Sequence, residues 1–101
     1  MKELRGTFME TLRQRMATLL EEGGRTVREL SQALHLSERE VAAHLPHVAR
    51  TAAGQGKRLV IHPFRCLVCG YVFKDRKRLS RPGRCPRCKQ GHLEEPRYQI
   101  R

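Results

Sequence analysis

The sequence contains no tryptophan and only five aromatic residues among its 101 positions. A chain of this length buries only about two-thirds of the surface that its unfolded form exposes. With so few large side chains, its hydrophobic core is small, and a staple such as a bound metal ion would help to stabilise it. The length allows one domain or two very small ones.

Long apolar runs are also missing. No apolar stretch of about 7–15 residues follows the first residues, as a secretory signal requires, and none approaches the ~20 apolar residues of a membrane span. We therefore expect a cytoplasmic protein that is not inserted in a membrane. Structural disulfides are rare in the cytosol, so the four cysteines need another explanation.

No combination of acid, base and nucleophile typical of an active site is present. Ser37 and Ser80 have no evident base partner in their sequence context. Asp75, Glu94 and Glu95 form no recognisable acid–base motif. We therefore expect that the protein is not an enzyme.

The charge is distributed unevenly along the chain. Residues 57–101 contain 13 Lys and Arg and 3 Asp and Glu, a net charge of +10, whereas residues 1–56 carry only +1. Such a basic half indicates a polyanionic partner, nucleic acid first and an anionic membrane second. A basic surface that only keeps the protein soluble is the alternative interpretation.

Three segments have the periodicity of amphipathic helices. Residues 7–22 place their apolar side chains on one stripe. The next segment begins at Thr26, which forms a capping-box pattern with Glu29, and the third begins with the same pattern at Ser37 and Glu40. Two short capped helices joined by a turn of about three residues are typical of a helix-turn-helix. Another kind of three-helix bundle would have the same periodicity.

Pro46 lies inside the third helix, where it removes a backbone hydrogen bond. We expect a kink or a second helical start there, with helical residues continuing toward Ala52. After the helices, residues 58–62, 71–73 and 97–100 are short and rich in β-branched or aromatic residues, which predicts three strands. The first of these lies where the wing of a winged helix-turn-helix would begin.

The four cysteines form two Cys-x-x-Cys pairs, Cys66 with Cys69 and Cys85 with Cys88, separated by 15 residues. Two sulfurs at positions i and i+3 on a tight turn chelate one ion, and two such turns complete a tetrahedron with Zn–S distances of about 2.3 Å. The spacing therefore predicts one structural Zn²⁺ ion bound by these four thiolates.

Histidines offer further ligands in principle. His62 and His92 lie outside the cysteine pairs, and we expect them at the surface or beside the ligands rather than on the metal. His44 and His47 have a spacing that suits a metal, but such a pair more often faces solvent or phosphate.

The motifs CLVCG and CPRC resemble the two knuckles of a zinc ribbon, and this resemblance covers residues 63–101. It implies the fold and the metal but not the function. The segment CLVCGYVF also resembles the first knuckle of rubredoxin-like domains, which bind iron and carry electrons. Those domains usually have glycine where this chain has Lys89, and the basic linker differs from their acidic surfaces, so zinc is favoured over iron.

The order of these parts resembles small prokaryotic transcriptional regulators that combine a winged helix-turn-helix with a C-terminal zinc ribbon. It is also similar to the large subunit of transcription factor E. The resemblance rests on TVRELSQALHLSEREVAAHLPHVAR and the four cysteines. It implies an α+β fold, with a three-helix winged helix-turn-helix in residues 1–62 and a small antiparallel β zinc ribbon in residues 63–101. It also implies binding to double-stranded DNA.

With Val41, Leu45 and Val48 facing the core, the opposite face of the third helix is predicted to enter the major groove. Arg39 can contact guanine there, although it is also explained as a solvated surface charge, and the small Ala43 permits a close approach. The predicted DNA contacts on this helix are Arg39, Ala43, His47 and Arg50. The predicted phosphate contacts at the wing turn and in the ribbon are Lys57, Arg58, Lys74, Arg76, Lys77, Arg78, Arg81, Arg84 and Arg87.

The sequence thus predicts a DNA-binding transcriptional regulator with a structural zinc site. An adaptor that binds RNA polymerase, another protein or RNA through the ribbon is the alternative, and an iron redox module is the lesser one. A homodimer through the first helix is compatible with the pattern, but nothing in the sequence requires it.

Overall fold

The first half of the chain forms three helices, α1 (Phe8–Glu22), α2 (Val27–Leu34) and α3 (Glu38–Gly54). The computed structural model describes residues 8–74, 76–79 and 82–101, and only the backbone of residues 8–10. The three predicted helices are confirmed, except that residue 7 lies outside the described residues. Within these residues, no helix combines the length and apolar character needed to cross a bilayer.

Both predicted capping boxes are present. The Thr26 hydroxyl accepts a hydrogen bond from the amide of Glu29, whose carboxylate accepts one from the amide of Thr26, each at 3.0 Å. Ser37 and Glu40 repeat this arrangement at the start of α3. Between the two helices, His35 adopts a left-handed conformation with φ of 57° and ends α2. The turn between α2 and α3 is therefore short, because His35 ends α2 and the capping box at Ser37 begins α3.

α3 continues as one helix through Pro46 to Gly54. Pro46 has no amide hydrogen to donate to the carbonyl of Ala42, but both residues are exposed. This exposed side of α3 is where water can take the place of the missing hydrogen bond. The second helical start considered for Pro46 does not occur, and the helix extends beyond Ala52 as predicted.

In the part of the chain that the structure describes, five short strands form two antiparallel sheets. The strands are β1 (Arg25–Thr26), β2 (Leu59–Ile61), β3 (Phe64–Arg65), β4 (Val72–Phe73) and β5 (Arg97–Ile100). One sheet has the order β1-β5-β2, and the other pairs β3 with β4. β2, β4 and β5 lie within the three predicted strand segments, whereas β1 and β3 were not predicted.

The last strand connects the two halves of the chain. β5 is the middle strand of the first sheet, with Ile61 opposite Tyr98 and Thr26 opposite Arg97. The Arg97 side chain also donates to the carbonyl of Gly24 at 2.9 Å and to the carboxylate of Glu29 at 3.1 Å. The cysteine-containing segment is therefore inserted between two strands of one sheet. The domain boundary between residues 62 and 63 stays a prediction. The structure adds that β5, from the second half of the chain, pairs with β1 and β2 of the first half.

The side chains form two separate cores. The larger core lies between the helices and the first sheet, and it contains the predicted core face of α3 together with Tyr98 and Ile100. Its most buried members are Met16, Leu20, Leu30, Val41, Leu45 and Val48. The smaller core consists of Cys66, Cys85 and Leu93, with partly buried side chains around them. Because two of these three residues are cysteines, the ribbon depends on what the sulfurs bind.

Candidate metal centre and nucleic-acid interface

The four cysteine sulfurs lie together at the end of the ribbon. All four Sγ atoms are within 4.8 Å of one another, with 3.5 Å between Cys66 and Cys88 and 3.6 Å between Cys69 and Cys85. A tetrahedral ion with Zn–S distances of about 2.3 Å needs sulfurs about 3.8 Å apart. All four cysteines are free thiols, so the donor set fits one structural zinc ion without rearrangement.

Each cysteine pair lies on a tight turn held by backbone hydrogen bonds. The amide of Cys66 donates to the carbonyl of Tyr71 at 2.8 Å, and the amide of Gly70 donates back to the carbonyl of Cys66 at 3.0 Å. The second pair, beginning at Cys85, repeats this pattern at 2.8 and 2.9 Å. The two turns therefore present their sulfurs in the same way, as the repeated spacing predicted.

Backbone amides also point at the sulfurs. The amide of Val68 lies 3.4 Å from Cys66 Sγ, and that of Arg87 lies 3.3 Å from Cys85 Sγ. A hydrogen bond from the amide of Cys69 is the main cause that lowers the pKa of Cys66 to about 7. Part of the donor set is thus ready to bind a cation near neutral pH.

The thiols cannot all ionise without a cation among them. The amide of Gln90 favours the thiolate of Cys88, but burial and the neighbouring thiols outweigh it and raise the pKa of Cys88 to about 12. A divalent ion removes this repulsion, because it is the largest local charge in such a site and stabilises each thiolate. The chemistry of the four donors therefore fits a divalent metal that binds them together.

The two turns differ at the residue that follows each pair. Gly70 and Lys89 both have positive φ, at 79° and 65°. We expect Lys89→Gly to raise the free energy of unfolding of the zinc-loaded protein by about 1 kcal/mol, because a side chain in this conformation is strained. Denaturant titration measures the change. A lower midpoint would show that the contact between the Lys89 ammonium and the carbonyl of Pro86, at 3.2 Å, matters more than the strain.

The residues predicted to face DNA from α3 lie on its outer side. All four side chains are exposed: Arg39, Ala43, His47 and Arg50. The guanidinium of Arg13 is the main cause that lowers the pKa of His47, so this histidine is neutral at pH 7 and able to accept a hydrogen bond as well as donate one.

His44 does not face solvent. It is 7% exposed, and its Nδ1 accepts a hydrogen bond from Arg13 Nε at 3.3 Å. The expectation that both histidines face solvent is therefore wrong for His44, which is buried beside Arg13, whereas His47 is exposed. Sequence reasoning missed Arg13 as its partner since the two residues are 31 positions apart.

Residues 74–87 are here called the basic segment. The predicted phosphate contacts Lys74, Lys77, Arg78, Arg84 and Arg87 are exposed, Arg76 is half-buried, and Arg81 lies outside the described residues. The half-buried Leu79 packs against the larger core, and its carbonyl accepts a hydrogen bond from the Tyr98 hydroxyl at 2.6 Å. Leu79 and Arg39 line one cavity of about 250 Å³. The part of the basic segment around Leu79 thus lies beside the start of α3, which sequence spacing does not reveal.

The two cations at the wing turn have other contacts. The Lys57 ammonium forms an ion pair with Glu21 at 2.6 Å, which reduces the charge that it offers to a phosphate. Arg58 is exposed, and its backbone pairs with that of Arg101 at 2.8 and 2.9 Å. Both stay predicted contacts, with Arg58 the better placed.

Comparison with known proteins separates the chain into two matched parts. Residues 11–60 match the model described as PF0610-like, N-terminal, and residues 63–101 match the PF0610 rubredoxin-like zinc beta-ribbon domain. The chain is also similar to protein PF0610 from Pyrococcus furiosus, whose solution NMR structure is known. The identity is 30%, the alignment covers 100% of this chain and 98% of that one, and the TM-score is 0.78.

None of the curated proteins compared has significant sequence similarity to the chain. The zinc description agrees with the predicted metal and with the donor set, and the rubredoxin-like description agrees with the resemblance of CLVCGYVF. With both halves matched and the similarity extending over the whole chain, this protein belongs to the PF0610-like family, whose members join an N-terminal PF0610-like domain to a rubredoxin-like zinc β-ribbon.

Proposed function

We propose that the protein is a DNA-binding transcriptional regulator without enzymatic activity, and that it acts in the cytoplasm. The observation that best supports this proposal is the contact of Leu79 with the larger core, beside Arg39. It brings the part of the basic segment around Leu79, with Lys77 and Arg78, beside the exposed face of α3. In this proposal α3 enters the major groove, and the basic segment contacts phosphates on either side of it.

The topology supports a winged helix-turn-helix interpretation. β1 lies between α1 and α2, and β2 follows α3 and pairs with β5. The connection from β2 to β5 is then the position of a wing, and in this chain the zinc ribbon occupies it. The ribbon therefore extends from the same edge of the domain from which a wing contacts DNA.

The charges of this surface are available to a polyanion. Arg25, Lys57 and Arg97 form ion pairs with acidic side chains. None of them involves Arg39 or Arg50 on α3. Most of the net charge of +10 in residues 57–101 therefore contributes to the field that attracts DNA.

Selection of binding sites tests the proposal. Zinc-loaded protein is incubated with random duplexes at ~150 mM salt, where nonspecific contacts are weakened, and the retained DNA is sequenced. One enriched motif is the expected result. Retention without enrichment would show a purely electrostatic binder and would overturn sequence-specific regulation.

Substitutions separate the two kinds of contact on the enriched motif. Arg39→Ala is expected to cost about 1–3 kcal/mol and to relax the preference at a single base pair, because a bidentate contact to guanine is lost. The double variant Lys77→Ala/Arg78→Ala is the control. It is expected to lower the affinity for all DNA sequences alike and to reduce the slope of log K against log salt by about 1.8. Fluorescence anisotropy at several salt concentrations measures both. If both variants lowered the affinity for all sequences alike, Arg39 would not be contacting a base.

A further inference from the structure

Three apolar side chains of the first knuckle are exposed. Leu67 is 54% exposed, Val68 57% and Val72 38%, and they are the exposed large hydrophobic residues of the described part of the chain. Leu67 and Val68 lie between the two cysteines of their pair, and Val72 follows in β4. We call these three residues the apolar tip. In a protein with so few large apolar residues, three of them contribute nothing to either core.

The apolar tip lies on the outer side of its hairpin. Arg65 and Val72 are paired across β3 and β4, so their side chains share one face of this hairpin. Phe64 and Phe73 share the opposite face, where their rings stack with centroids 4.5 Å apart. The inner face is therefore already filled, and no rotation of the hairpin covers the tip without exposing these rings.

The hairpin carries the tip away from the helices. β3 begins three residues after β2 ends, and by Leu79 the chain has returned to the larger core. Both ends of the hairpin thus connect to the helix half, and the knuckle with Leu67 and Val68 is at the far end. The molecule is elongated, with extents of 54 × 28 × 18 Å. The tip therefore lies at the other end of the ribbon from Arg39.

Cations surround the tip. Arg65 and Lys74 are exposed on the same hairpin, and Arg87 is exposed on the second knuckle. The nearby acid, Glu94, accepts a hydrogen bond from the amide of Arg65 at 2.7 Å. A second copy of this chain would bring the same cations together, so self-association through the tip is opposed by repulsion. The charges instead favour an acidic partner.

We propose that the apolar tip is a docking surface for a partner protein with a shallow apolar pocket edged by Asp and Glu side chains. Removal of exposed apolar side chains from water drives such an association, and the surrounding cations select the acidic rim and speed the encounter. The small area suits a transient contact rather than a permanent one. Insertion between DNA bases is less favourable, because it requires unstacking and because α3 lies at the opposite end. The docking surface does not depend on the proposed function of α3.

A displayed library of random 16-residue peptides provides the probe. Selection on the zinc-loaded full-length protein is expected to enrich peptides that combine large apolar residues with Asp and Glu. The enriched peptides are then synthesised, and their affinity is measured by fluorescence anisotropy. Leu67→Ser/Val68→Ser is expected to weaken binding at least tenfold, because it removes exposed apolar area without changing charge.

Arg50→Glu is the matched control on α3. It is expected to weaken DNA binding and to leave peptide affinity unchanged, whereas Leu67→Ser/Val68→Ser is expected to show the reverse. Zinc content and circular dichroism verify that each variant is folded. If the serine variant bound the peptides as tightly as the unchanged protein does, the proposed docking surface would be wrong. A loss of DNA affinity in the serine variant would assign the tip to DNA, and a change from dimer to monomer would assign it to a second copy. Failure of DNA binding in every variant would refute the proposed function alone.

Discussion

Chelation of zinc at neutral pH is expected to unfold the ribbon and to leave the three helices folded. The core of the ribbon consists of Cys66, Cys85 and Leu93, so removal of the metal leaves only Leu93 and a few aromatic contacts to stabilise it. Structural zinc contributes about 10–16 kcal/mol in small domains of this kind. The larger core contains no cysteine, and Tyr98 and Ile100 still bind β5 to it. Amide hydrogen exchange should therefore rise in residues 64–93 and stay low in α1, α2 and α3.

Variants of the ligands provide the matched comparison. Cys85→Ser removes one of four thiolates, and a quarter of that free energy corresponds to roughly a 100-fold loss of zinc affinity. His62→Ala and His92→Ala are expected to keep full affinity, since the four sulfurs already complete the tetrahedron. Competition with a zinc-binding dye measures all three. Loss of affinity in a histidine variant would show that the donor set is not the four cysteines, and loss of the helices on chelation would show that β5 cannot hold its place without the metal.

Tyr98→Ala is expected to lower the free energy of unfolding by about 3–5 kcal/mol, the usual cost of truncating a large core side chain. Tyr98 is 2% exposed, lies in the middle strand of the first sheet and packs in the larger core. Its hydroxyl also donates to the carbonyl of Leu79. One side chain thus stabilises the core and holds the basic segment against the helices.

Tyr98→Phe separates these two effects. It keeps the ring in the core and removes only the hydroxyl, so we expect a stability loss of about 1 kcal/mol. Because the basic segment is then held less firmly beside Arg39, DNA affinity should fall more than this stability loss implies. Denaturant titration and anisotropy with the selected duplex measure the two quantities. Unchanged DNA affinity would show that the position of Leu79 does not matter for binding.

Local signals allowed much of the fold to be predicted. The capping boxes at Thr26 and Ser37 set the starts of α2 and α3, because each needs only residues three positions apart. The two cysteine pairs predicted the metal site for the same reason, since each turn is built from a few neighbouring residues. The periodicity of α3 placed Val41, Leu45 and Val48 in the core.

Predictions failed where distant residues decide the outcome. One of the two outcomes expected at Pro46, a second helical start, did not occur, and α3 continues as one helix. His44 is buried because Arg13, on another helix, accommodates it. β1 was missed because a two-residue strand exists only through its partner β5.

By itself, then, the sequence determined the helices, the turns that carry the sulfurs, the metal they bind and the excess of positive charge, all of which arise from short-range geometry and composition. Only the tertiary structure decided that β5 closes the first sheet, that Leu79 brings the basic segment to α3, and that the apolar tip stays uncovered. These features depend on contacts between residues far apart in the chain, such as Tyr98 with Leu79 and Ile61. Such contacts form because folding buries apolar surface and pairs backbone groups of residues that are distant in the chain. The spacing of residues in the sequence does not reveal which distant residues meet.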